Sequence, residues 1–506
     1  MTSRCPALAL ALLTLLAPPV SATWSIILVD TATGEVGVGA ATCLESLDLL
    51  KLLPVVVVGK GGGAAQSAID STAKNRKEIF ENLMLGTPPD QIIEILLDGD
   101  ILWKSRQYGI ADSSPAAAGF TGEFANDYKE DVHGTVGTLT YAIQGNVLTG
   151  APVISAAVAA VTGTQGSLSD KLLAGMEAAR SMGGDGRCSC APGDPTGCGS
   201  PPPSFTKSAH IGFMVVARMG DTDGVCTASV GCANGNYWLS LNVKNQVEAD
   251  PDPVLQLTDL YADFLDTLHG HPDGLRSSAR FDHDVLLADG VSTRTLSLGF
   301  CDYFGDPILA GGAIVTVAHA PGSAGLSVLG PVTDQGDGTY SIEVTAGTGS
   351  GTDLFEVRVD DGFKPAMLYP YPALELRPAL VADAAALSST SGGVAQLDLL
   401  GPSADHDRLY LLAISGSGSV PGLMMPGGLV VPLNPDRLFY ATSSYAQAGT
   451  LTGSRGLLDS ASQAEAALVL QPGDLAFMAG LPLTLAWVTM RPVDFASNAV
   501  TVDILP

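Results

Sequence analysis

The chain has 506 residues, 46% of them hydrophobic and only 15% charged, so it carries enough apolar material for more than one buried interior. Lysine and arginine total 25 against 52 acidic residues, a formal net charge of −27. A surface this negative repels phosphate backbones, which argues against nucleic acid as a partner and fits solubility outside the cell.

At the N-terminus, Arg4, the apolar run Ala7 to Ala17 and the small residues Val20-Ser21-Ala22 make a secretion signal cut after Ala22. The run is too short to span a bilayer, so no integral membrane segment is expected after its removal. Cleavage there leaves Thr23 as the first residue. A free N-terminal threonine can act as a nucleophile, because its own α-amine, with a pKa of about 7.7–8.0, takes the hydroxyl proton near neutral pH. On its own the position is weak, since small residues are common after any cleavage site.

Thr23 to Asp30, a turn at Thr33-Gly34, and Glu35 to Ala41 read as a β-hairpin. Leu52 to Val58 runs into Gly59-Lys60-Gly61-Gly62-Gly63, which lacks Walker spacing and reads as a close-packed turn or strand. Helical spacing follows from Ser67 to Leu85, and Pro88-Pro89-Asp90 opens a second helix, Gln91 to Leu97. Strands are expected at Gln107 to Asp112 and Ala116 to Gly122. After an irregular polar stretch comes Tyr141 to Gly150, then helices at Val153 to Val161 and Ser169 to Met182. A strand at Ala209 to Arg218, another at Tyr237 to Val243 and a helix from Val254 to Leu268 complete this part. Two sheets, each covered on its outer side by a helix pair, satisfy that order.

Seven cysteines remain after loss of Cys5. Cys188, Cys190, Cys198, Cys226 and Cys232 fall close together with spacings that suit disulfides rather than zinc, leaving Cys43 or Cys301 as the expected free thiol. The histidines and aspartates of 269–284 share no face of an element, so no metal is assigned, and no cofactor is expected. From Leu286 the texture turns to short strands with Gly, Asp and Pro turns, the pattern of β-sandwiches. The expected organisation is a signal peptide at 1–22, an α+β unit at 23–268 with a Cys-rich insertion near 186–208, and a linker at 269–285. An immunoglobulin-like sandwich at 286–378, a linker at 379–393 and a C-terminal β-sandwich at 394–506 follow.

The segment opening Ala288-Asp289-Gly290-Val291-Ser292-Thr293, with Gly305-Asp306-Pro307-Ile308 and Ala313 to Val317, resembles bacterial immunoglobulin-like modules of the invasin and intimin type. The first unit resembles domain-of-unknown-function family 1028, a bacterial family assigned to the N-terminal-nucleophile (Ntn) hydrolase superfamily. The likeness rests on Thr23-Trp24-Ser25-Ile26, Asp30, Thr33 to Val38, Ala65-Gln66-Ser67, Phe120-Thr121-Gly122-Glu123, Gln144-Gly145-Asn146, Gly183-Gly184-Asp185 and Asp252-Pro253-Val254. It implies a four-layer αββα sandwich of Ntn-hydrolase type, followed by the two all-β domains.

The superfamily hydrolyses amide bonds with an N-terminal Thr, Ser or Cys, which makes Thr23 the expected nucleophile; Gln66, Asn146 and backbone N–H groups around Gly145 are then the candidate oxyanion donors, and Asp30 and Asp185, with Arg187, the candidates to orient the amine. Ser67, Thr121, Gln144, Gly145 and Ser208 are the expected substrate contacts, and for Gln144, Gly145 and Asn146 a turn fixed by Asn and Gly is the equal alternative. The departures are Ala65 where the family often has threonine, Lys60 where a small apolar residue is usual, and the Cys-rich insertion. The expected partner is a small amide or peptide-like substrate, and a homo-oligomer is compatible with the sequence. The rival expectation is a catalytically silent extracellular or cell-surface binding protein that works through its β-sandwich modules.

Overall fold

The computed structural model describes residues 23–191, 193–444 and 450–506; the expected signal peptide lies outside them. The described residues divide into two compact units, the first ending at His269 and the second beginning at Gly270.

The first unit begins with the hairpin β1 (Thr23–Asp30) and β2 (Glu35–Thr42), then α1 (Leu49–Leu52), β3 (Pro54–Val57), β4 (Gly61–Ser67), α2 (Lys74–Leu85) and α3 (Pro89–Gly99). It continues through β5 (Arg106–Asp112), β6 (Ala117–Thr121), β7 (Glu130–Val136), β8 (Leu139–Asn146), α4 (Pro152–Gly163), α5 (Leu168–Ser181) and the short α6 (Gly186–Ser189). It ends with β9 (Ile211–Ala217), β10 (Leu239–Val243) and α7 (Pro253–Asp266).

Two antiparallel sheets result, ordered β10-β9-β2-β1-β8-β7 and β3-β4-β5-β6. Their inner faces meet in a core of Ile27, Val29, Val36, Val38 and Ala40 against Val56, Ala64 and Ala111. α4, α5 and α7 lie along the first sheet and α2 and α3 along the second, giving layers of helix, sheet, sheet and helix. The helix starts follow local chemistry. Ser167 and Asp170 form a capping box on α5, while Asp252 caps α7 ahead of Pro253.

The glycine run after Lys60 is a strand because the sheets press closely there. A Cβ on Gly62 would come within 3.1 Å of both Val36 and Val38. That strand extends to Ser67, whose φ of +73° ends it, so the helix expected from Ser67 starts only at Lys74. β7, read from sequence as irregular, is an edge strand with no fully buried residue, and it therefore lacks the apolar alternation that marks a half-buried strand.

Disulfides join Cys43 to Cys188, Cys190 to Cys198 and Cys226 to Cys232, and among the described residues Cys301 is the free cysteine. Cys43, expected as a candidate free thiol, is therefore bridged; its partner lies 145 residues away, a pairing that spacing cannot reveal.

The second unit holds two β-sandwiches. In the first, Ser278–Phe281, Thr293–Gly299, Thr339–Thr345 and Val328–Asp334 form one sheet, and Val285–Leu287, Ala373–Arg377, Gly351–Asp360 and Ile314–His319 the other. Leu296, Leu298, Ile342, Phe355, Val357 and Leu374 fill its core. The stretch expected as a linker at 269–285 thus contributes a strand, Ser278–Phe281, paired with Thr293–Gly299. The second sandwich is centred on Trp487, whose indole donates to the Ala379 carbonyl at 2.8 Å. Leu380–Ala382 and Ala386–Ser388, also expected as linker, are strands of its two sheets. Three-residue strands are too short to show a period in sequence. Among the described residues no helix is long and apolar enough to cross a membrane.

Candidate active site

Along β1 the side chains facing the second sheet are Val29, Ile27, Ser25 and Thr23, so this face turns from apolar to polar toward its first residue. The facing strands change at the same level. Ala142 gives way to Gln144 and Asn146 on β8, Ala64 to Gln66 on β4, and Ala111 and Gly109 to Gln107 on β5. Register sets Ser25 opposite Gln144, Thr23 opposite Asn146, and Gln66 opposite Gln107. Side chains directly opposed in this way hold their Cβ atoms about 4.5–5.5 Å apart.

The result is an amide and hydroxyl network between the sheets, with Thr23, Ser25, Gln66, Gln107, Gln144 and Asn146 all fully buried. Ser25 Oγ donates to Gln66 Oε1 at 2.7 Å and accepts from Gln144 Nε2. Gln66 Nε2 donates to the Thr23 carbonyl at 3.0 Å and to Gln107 Oε1 at 2.8 Å. Gln107 Nε2 donates in turn to the Gly145 carbonyl at 2.9 Å and to Thr121 Oγ1 at 2.9 Å. Gly109 makes room for this arrangement, since a Cβ there would lie 1.9 Å from Gln144 Oε1. Asn146 Nδ2 reaches Ser67 Oγ at 3.3 Å. Gln107 is absent from the sequence-based site, although its signal was present: in a strand whose same-face neighbours are Gly109 and Ala111, an inward glutamine has no packing reason.

A second polar group forms beside the end of β2. Asp185, fully buried, accepts from the Cys43 backbone N–H at 2.7 Å and pairs with Arg187 through Nη2 at 2.8 Å and Nε at 3.1 Å. Its own N–H donates to the Ser208 carbonyl at 3.0 Å, and Ser208 Oγ donates to Asp252 Oδ2 at 2.8 Å. The expected residues thus divide into two sets. Thr23, Gln66, Ser67, Gln144, Gly145 and Asn146 gather where β1 begins, with Thr121 linked through Gln107, while Asp185, Arg187 and Ser208 share the network past β2. Asp30 stands apart at the far end of β1, seven steps of roughly 3.3 Å from Thr23, where its carboxylate accepts from the Ala32 N–H.

Ser67 also lines a cleft of about 610 Å³, walled by Leu44, Leu47, Leu52, Ile69, Leu102 and Phe124. Arg106 at its edge is fixed by Asp100, Nε to Oδ2 at 2.7 Å. Burial alone would raise the Asp100 carboxyl, but hydrogen bonds from Arg106, Asn75 and the Leu102 N–H outweigh it and hold its pKa at about 2. A carboxyl depressed in the folded state stabilises above its unfolded pKa of about 3.9 and loses that stabilisation as pH falls through its folded value. Denaturant midpoints measured from pH 7 to pH 2 are expected to show Asp100→Asn about 2 kcal/mol less stable at neutral pH, with the gap closing below pH 4.

Cys43, Cys188 and His210 bring ligand atoms within 4.8 Å of one another. The two sulfurs are joined to each other, so the thiolates a zinc ion requires are not offered there.

The fold and these sites define a multidomain protein with an α+β unit followed by all-β modules. Residues 23–191 match the model of a family of unknown function, DUF1028, and residues 274–366 match domain 3 of invasin. Among solved structures, a DUF1028 protein from Silicibacter pomeroyi is similar, with 22% identity over 48% of this chain and 86% of that one, at a TM-score of 0.35. The adhesin InvE of Yersinia pseudotuberculosis shows 19% identity over 46% of this chain and 60% of its own, at a TM-score of 0.16. Invasin, described as a bacterial integrin-binding protein, shows 14% identity over 59% of this chain and 46% of its own, at 0.19. No curated protein matches.

Proposed function

We propose that the first unit is an exported amide hydrolase of the N-terminal-nucleophile type, with Thr23 as nucleophile once a signal peptidase cuts after Ala22. The observation that carries this reading is the register that sets Thr23 opposite Asn146 at the polar end of the inter-sheet core, one hydrogen bond from the Ser67 wall of the cleft. The family match starts at the same residue, which supports a domain that begins there.

In this mechanism the Thr23 hydroxyl attacks the amide carbonyl and the freed α-amine takes its proton through a water. The Asn146 amide, with backbone N–H groups near Gly145, receives the developing oxyanion, while Gln66, whose two N–H donors are held by the Thr23 carbonyl and Gln107, positions the first residue. Collapse of the tetrahedral intermediate breaks the C–N bond, the α-ammonium returns its proton to the departing amine, and a water, deprotonated by the same α-amine, hydrolyses the Thr23 ester to release the acid and restore the hydroxyl. Asp30, at the other end of its strand, leaves this scheme, and the Asp185–Arg187 pair remains as the charged group that orients the amine. The disulfides fit an oxidising, extracytoplasmic location.

The match of 274–366 to invasin domain 3 favours a second reading, in which the β-sandwiches bind a protein partner outside the cell and the first unit is catalytically silent. One experiment separates the two. The exported protein is purified, its N-terminus sequenced, and the protein reacted with an acylating probe whose adduct is mapped by mass spectrometry. The expected result is Thr23 as first residue, carrying the adduct on its hydroxyl. A different first residue, or an adduct elsewhere, leaves the binding protein as the account.

A further inference from the structure

We propose that the cleft beside Ser67 binds an unbranched aliphatic chain, carried by the substrate of the Thr23 site. Its place in a reaction rests on the hydrolase reading, whereas its binding of a chain does not.

Three observations point to this ligand. The first is the lining. Leu44, Leu52 and Ile69 form the walls, while Leu47, Leu102 and Phe124 stand at 38%, 53% and 61% exposure. Large side chains left in water and converging on one concavity mark a site that something apolar covers.

The second is the state of the charged groups at the cleft. Asp70 Oδ1 takes hydrogen bonds from the Thr72 N–H and hydroxyl, and its Oδ2 takes one from the Asn75 N–H. Arg106 spends Nε on Asp100 and Nη1 on the Ala68 carbonyl. Both charges are thus engaged within the protein, and the lining they leave for a guest is mostly apolar, with Ser67, Ser71, Ser105 and Asn126 as its uncharged polar members. The volume, about 610 Å³, falls within the range of small-molecule sites.

The third is continuity. Ser67 belongs to the cleft wall and accepts from Asn146, which faces Thr23 across the β1–β8 ladder. A chain lying in the cleft therefore brings its polar end toward the hydroxyl and amide cluster, as a substrate with an amide head and an aliphatic tail requires.

Hexanoate, octanoate and decanoate, titrated calorimetrically into the mature protein, test the proposal. Affinity is expected to rise about fourfold for each added methylene. Thr23→Ala should bind decanoate as the wild type does. Leu102→Asp and Phe124→Asp, at exposed positions that leave the fold intact, should each weaken decanoate by about tenfold or more, because they place a carboxylate against the chain. Absence of chain-length dependence, or wild-type decanoate affinity in both aspartate variants, overturns it, and a partner protein then becomes the occupant to look for. Chain-dependent binding without a Thr23 adduct ends the hydrolase reading alone, whereas an adduct without chain dependence ends this one alone.

Discussion

Thr23→Ala in the mature protein is expected to cut amide turnover by on the order of 10⁵-fold and to abolish labelling by an acylating probe, the scale of loss seen when a covalent nucleophile is removed. Thr23→Ser should keep measurable turnover, because the hydroxyl and the α-amine both remain. The comparison is informative because neither change touches the hydrogen bond from Gln66 Nε2 to the Thr23 backbone carbonyl or the β1 ladders. Melting curves of the three proteins should therefore lie close together while their rates separate. Equal rates for Thr23→Ala and wild type would remove the enzyme from the account.

The second large effect concerns the covalent frame. Replacing Cys43 and Cys188 by serine together is expected to lower stability by up to about 5 kcal/mol on the chain-entropy account, because the link closes a loop spanning 145 residues. The same account gives about 2.5 kcal/mol for Cys190 and Cys198, separated by 8 residues. Thermal or denaturant unfolding of the two double variants checks the ratio, and equal losses would refute the loop-closure explanation. Removing Cys43–Cys188 should also depress probe labelling, since the Cys43 backbone N–H is a ligand of Asp185 and Cys188 lies in the helix that Asp185 caps.

Much of the first unit can be read from residue patterns because its elements are amphipathic. The β1–β2 hairpin, the paired helices and the strand character of the glycine run all follow from alternation, helical spacing and turn residues. What escaped detection lacked those signals. β7 is an edge strand with polar residues on both sides, and the strands hidden in the expected linkers, Ser278–Phe281, Leu380–Ala382 and Ala386–Ser388, are only three or four residues long. Within the candidate site, Gln66, Gln144 and Asn146 came from family likeness. Gln107 required knowing that its neighbours on the same face point into a core. Asp30 shows the opposite error: it adjoins Thr23 in the motif, but a strand separates residues linearly, and that distance puts its carboxylate out of reach. The Cys43–Cys188 link joins residues brought together only by the folded sheet.

β1 is clasped along both edges, by β2 on one side and β8 on the other. Its first residue is accordingly seated by the ladder itself, whatever is attached upstream. If Thr23 is the nucleophile, activation is no refolding event. Cutting one peptide bond converts a neutral, blocked nitrogen into a titratable amine already in position, so zymogen and enzyme share a single scaffold and differ in the chemistry of one atom.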